Sequence, residues 1–128
     1  MAWSPPRDVD LVYGVDLDGF LWARRRRLPF VVSLKGVIAD ELRNERGLTR
    51  ALLSIQARWE RLNARRADVV IAPSRYSADV AHRAYGVAAE KIVVVPEPIE
   101  LGPWTALLAA AAPRPRGGPA ILCVARMY

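Results

Sequence analysis

Short, continuous apolar runs alternate along the chain with longer stretches whose apolar positions recur at helical spacing. The runs lie at residues 9–13, 30–34, 69–72, 92–95 and 121–124 and are rich in valine, isoleucine and leucine. Hydrophobicity without strict polar alternation is what a strand covered on both faces requires. Helices between such strands imply right-handed crossovers and a mostly parallel sheet. The pattern therefore predicts an α/β protein with a mostly parallel sheet flanked by helices.

The longest helix is expected over 48–66. Leu48, Leu52, Ile55, Trp59 and Leu62 recur at spacings of four, three, four and three, one stripe expected to face the core. Arg50, Arg58, Arg61 and Arg65 fall on the rest of its surface. Gly47 separates it from a turn at 40–46. A short helix is expected at 16–27. Another runs from Ser74, a good N-cap, to Gly86, a good residue for leaving a helix. A last helix at 104–112 ends at Pro113. Residues 113–119, mostly proline and glycine, read as a linker between a domain portion at 1–112 and an opening strand at 120–128. A strand that opens after a linker, and a buried strand so near residue 9, lead us to expect an excerpt of a larger protein.

Composition narrows the classes. A chain of 128 residues with 52% hydrophobic and 25% charged residues can bury one core and is not a disordered tail. The single cysteine, Cys123, and single histidine, His82, exclude a disulfide framework and a Cys- or His-rich metal site built from this chain alone. Cys123 reads as a strand residue and His82 as a surface residue. No apolar run approaches the roughly 20 residues of a membrane span, and no signal-peptide core opens the chain. The expected location is the cytoplasm.

Two stretches suggest chemistry. In Val15-Asp16-Leu17-Asp18-Gly19 two aspartates stand one apart after a hydrophobic strand. The spacing resembles the opening motif of haloacid-dehalogenase-like phosphatases, and also the acidic pair of another glycosyltransferase fold. In the phosphatases the first aspartate attacks phosphorus, the second handles protons, and both help hold Mg²⁺. Asp16 and Asp18 would take those roles, but Phe20 stands where threonine is usual and no second acidic pair follows. The plainer reading has Asp16 capping a helix and Asp18 in its first turn.

The second stretch is Ala67-Asp68-Val69-Val70-Ile71-Ala72-Pro73-Ser74, then Gly86-Val87, Lys91-Ile92 and Val95-Pro96. It resembles, in order and spacing, the later N-terminal domain of retaining, family-four-type glycosyltransferases of the GT-B fold. Phe30-Val31-Val32-Ser33-Leu34-Lys35-Gly36 resembles that family's strand leading into the catalytic cleft. Ala120-Ile121-Leu122-Cys123-Val124-Ala125-Arg126 resembles the first strand of its donor-binding domain. The resemblance implies a Rossmann-like parallel sheet flanked by helices in an incomplete GT-B N-terminal domain, and a whole enzyme that transfers a sugar from a nucleotide-sugar to a glycan, lipid or small-molecule acceptor. It implies no cofactor and no metal, and a fragment that is inactive alone.

Carried over position by position, Arg126 matches the basic residue at the donor diphosphate. Lys35 stands where many members have a cleft histidine. Beside Gly36 it could contact acceptor or phosphate oxygens, or it could be a solvated loop lysine. Ser74 matches the serine that heads a helix at the cleft. Glu97-Pro98 replaces the more usual Asn-Gly. The catalytic residues themselves stay unassigned.

Charge adds one more surface. Nineteen Lys plus Arg against thirteen Asp plus Glu give +6, and only Lys35 and Lys91 are lysines. Arg24, Arg25, Arg26 and Arg27, near Phe20 and Trp22, could offset a helix dipole or rest on anionic lipid at the inner membrane face. No nucleic-acid module accompanies them. A basic lipid-binding module that is not an enzyme is the remaining alternative.

Overall fold

The computed structural model describes residues 8–19, 21, 28–111 and 118. Residues 1–97 form one compact unit. It holds four parallel strands, β1 (Val12–Val15), β2 (Phe30–Ser33), β3 (Val69–Ala72) and β4 (Ile92–Val94). Their order across the sheet is their order along the chain, with Gly14 beside Val32, Val32 beside Val70, and Val70 beside Ile92. This is the parallel α/β sheet expected from the apolar runs, and it is Rossmann-like. The run at 121–124, and the linker apart from Gly118, lie outside the described residues.

β1 begins three residues later than its apolar run, because pairing rather than composition sets its limits. Its ladder opens where the Val12 amide donates to the Pro29 carbonyl at 2.9 Å and closes where the Asp16 amide donates to Ser33 at 2.9 Å. The expected helix start at Asp16 is corrected. Residues 16–19 form a turn, Asp16 has a left-handed φ of 48°, and the Asp18 amide donates back to the Val15 carbonyl at 2.8 Å. That turn explains Gly14, since a Cβ there would stand 2.4 Å from the Asp18 carbonyl oxygen.

Among the described residues four α-helices have full ranges. They are α1 (Ile38–Glu41), α2 (Gly47–Arg66), α3 (Arg75–Val80) and α4 (Leu101–Ala110). α3 continues through a π turn (Ala81–Tyr85), and the chain leaves it at Gly86 with φ 67°. A 3₁₀ turn (Ala89–Lys91) leads into β4. Ser74 caps α3 as expected, its Oγ accepting from the Ser77 amide at 3.1 Å. α4 lies in a second unit, residues 98–128, and is exposed along its whole length. It starts three residues before the expected 104, with Pro103 in the first turn, where its missing N–H costs no helical bond.

The core sits on one side of the sheet. Phe30, Val32 and Val70 pack with Ala64, Val80 and Tyr85. The alternate strand residues lie on the other side, where Val31, Val69 and Ile71 are half-buried and Tyr13 and Val93 exposed. Strands covered on both faces are therefore not what the described residues show.

α2 is turned the opposite way from its apolar stripe. Leu48, Leu52, Ile55 and Trp59 are 76%, 55%, 47% and 42% exposed, whereas Ala57, Glu60, Asn63 and Ala64 are buried. The two alanines let the helix approach the sheet closely, and the two polar residues find partners in the loops at its edge.

Candidate functional site at the carboxyl edge of the sheet

In parallel α/β sheets ligands bind outside the carboxyl ends of the strands. Every described candidate arrives there. Asp16 follows β1, Lys35 and Gly36 follow β2, Ser74 follows β3, and Glu97 lies three residues after β4. Arg126 and the tetrad Arg24, Arg25, Arg26 and Arg27 lie outside the described residues.

Lys35 ties three of these strand ends together. Its backbone amide donates to Asp16 Oδ1 at 2.7 Å, and its Nζ donates to Glu97 Oε1 at 2.5 Å. Both side chains of the ion pair remain open to solvent. The hydrogen bond to Glu97 holds the Lys35 ammonium above its ordinary pKa, against partial desolvation and with the Glu97 charge assisting. The outcome is a fixed cation and a fixed carboxylate side by side, able to donate to and accept from a polar ligand.

The loops that carry these groups are held from beneath by the buried face of α2. Asn63 Nδ2 donates to the carbonyls of Asp16 and Asp18, each at 3.0 Å. Glu60 Oε2 accepts from the Ile38 amide at 2.9 Å and from the Tyr85 hydroxyl. The Tyr85 oxygen in turn accepts from the Ala39 amide at 3.1 Å. α1 has no side-chain cap of its own, so Glu60 and Tyr85 satisfy its first amides from other elements. Burial pushes the Glu60 carboxyl up to about 7, while the bonds from Tyr85 and Ile38 act against it and the charges of Asp16 and Glu41 add to it. Burial and Glu60 push the Tyr85 hydroxyl above the ordinary tyrosine range.

The chemistry available at Asp16 follows from these contacts. One of its oxygens is engaged by a backbone amide, and its turn sits on Asn63 rather than beside a second acidic pair. Among the described residues no three of His, Cys, Asp and Glu are grouped to hold a metal ion. The Ser74 hydroxyl is occupied as a cap and by Ser77 Oγ at 3.0 Å. His82 is exposed, with Nδ1 2.7 Å from the Val87 carbonyl oxygen.

The sequence pattern brought Lys35, Gly36 and Ser74 to this edge but not Glu60, Asn63 or Tyr85. One signal was available. Glu60 is the only acid in a helix that carries Arg50, Arg58, Arg61, Arg65 and Arg66. None of those arginines stands three or four residues from Glu60, so its own helix offers it no ion-pair partner on a solvated face.

Compared with known families, residues 3–103 match the model described as Glycosyltransferase Family 4. No curated protein and no solved structure matches the chain. No helix among the described residues is long and apolar enough to cross a membrane.

Proposed function

The chain belongs to Glycosyltransferase Family 4, and we propose that it supplies the acceptor side of a retaining, two-domain GT-B enzyme that moves a sugar from a nucleotide-sugar to an acceptor. One observation carries this reading. Two of the three positions where the sequence departs from the family's wording, Lys35 for histidine and Glu97 for asparagine, are partners in one ion pair at the carboxyl edge, and Pro98 is the third. A paired substitution keeps a polar, fixed contact point where a single one would leave a charge without its counterpart.

In such a reaction the chain's task is to bind, orient and stabilise charge. Lys35 Nζ offers donors to acceptor or phosphate oxygens, and Glu97 offers an acceptor for a substrate hydroxyl. Gly36 leaves the loop beside them without a side chain. Arg126 contributes a permanent positive charge and forked donors for the donor diphosphate as it leaves. The phosphatase reading built on Asp16 and Asp18 is not favoured, because Asp16 serves the backbone of Lys35.

The test uses the protein isolated from its natural source and a panel of nucleotide-sugars. Transfer is expected, and Lys35→Ala should lower kcat/KM at least about ten-fold, the loss of one charge-assisted hydrogen bond. No transfer from any donor, or transfer unchanged in the variant, overturns the reading.

A further inference from the structure

We propose that Glu97 sets the charge of the acceptor taken at this edge, selecting a neutral vicinal diol of a sugar against a phosphorylated or carboxylated group. The inference rests on the sugar-transfer reading above and names its acceptor class. Lys35 meets two carboxylates, Asp16 Oδ1 through its backbone amide at 2.7 Å and Glu97 Oε1 through Nζ at 2.5 Å. Two carboxylates against one ammonium leave this contact net negative. The Asp16 charge adds to that of Glu97 in holding the proton on Lys35. Both side chains of the ion pair are more than half open, at 52% and 59%, so a ligand can reach them. An exposed pair adds little to stability, and its fixed geometry matters for what it meets. The ammonium has donors beyond the one given to Glu97, and the carboxylate has acceptor sites beyond the one Lys35 uses. Adjacent hydroxyls of a sugar ring match that pattern. One accepts from Nζ while the other donates to Glu97, and the pair stays intact. An ionised phosphate or carboxylate has no proton to give Glu97. It reaches Lys35 only beside two like charges, or by displacing Glu97 from its partner. Ser74 offers such an anion no second anchor, because its hydroxyl is held by the Ser77 amide and hydroxyl.

The test uses the protein isolated from its natural source with a panel of nucleotide-sugars. Methyl glucoside, methyl mannoside and methyl galactoside are offered as acceptors, each beside its 6-phosphate. The neutral glycosides should be taken at least about ten-fold better in kcat/KM. Glu97→Gln removes one like charge and keeps an acceptor oxygen, and should shrink that preference about ten-fold. Both acceptor classes are assayed on one protein, so poorer folding of the variant lowers both rates alike and leaves their ratio unmoved. Equal or better transfer to the phosphates overturns the inference and leaves sugar transfer standing. So does a preference that Glu97→Gln does not change. No transfer to any acceptor removes the transfer reading, and this inference with it.

Discussion

Glu60 is a carboxylic acid with two donors aimed at one oxygen and only 1% of its surface exposed. Its unfolded value is 4.5 and its folded value is about 7. The folded state therefore keeps the proton longer than the unfolded chain does. Stability linked to this group is full below pH 4.5 and is lost as the pH rises through 7. At about 1.4 kcal/mol per pH unit the difference reaches roughly 3 kcal/mol. Glu60→Gln retains an acceptor for Ile38 and Tyr85 without a titrating proton. Urea unfolding at pH 4.5 and at ~8 should show a fall of that size in the parent and a much flatter response in the variant. Equal slopes in the two proteins would mean that Glu60 ionises freely. At this scale Lys35, Gly36 and Ser74 could be placed from sequence, because each directly follows an apolar run that forms a strand. Glu60, Asn63 and Tyr85 could not, since their partners stand between 22 and 47 residues away along the chain.

α2 shows what periodicity leaves undecided at the scale of an element. A heptad-like stripe marks a helix reliably, because its spacing matches the helical turn. It does not say which side meets the sheet, and here small and polar residues won over large apolar ones. The two sides should respond oppositely to substitution. Ala64→Leu pushes a larger side chain into a position with no exposure and should cost about 1–3 kcal/mol. Leu52→Gln, on the exposed stripe, should change stability by less than about 0.5 kcal/mol. Thermal midpoints of both variants decide the matter, and a larger loss from Leu52→Gln would reverse the assignment. β1 makes the same point more gently, since pairing with β2 moved it past its apolar run into the segment that holds Gly14.

Among the described residues the strands stand in chain order, with β2 and β3 inside and β1 and β4 at the edges. Inner strands share ladders with two neighbours, and their buried residues Phe30, Val32 and Val70 sit in the core. Amides of β2 and β3 should therefore exchange slowest with deuterated water, and those of β1 and β4 sooner. Slowest exchange in β4 would contradict this order. The sequence by itself determined the fold class and placed β2, β3, β4, α2 and the capped helix α3, because apolar runs, a serine cap and a glycine stop act over a few neighbouring residues. Only the tertiary structure decided which face of α2 is buried, which side of the sheet is covered and how Lys35 meets Glu97. Those choices compare alternatives with the same local pattern, and contacts between residues distant in sequence set the balance between them.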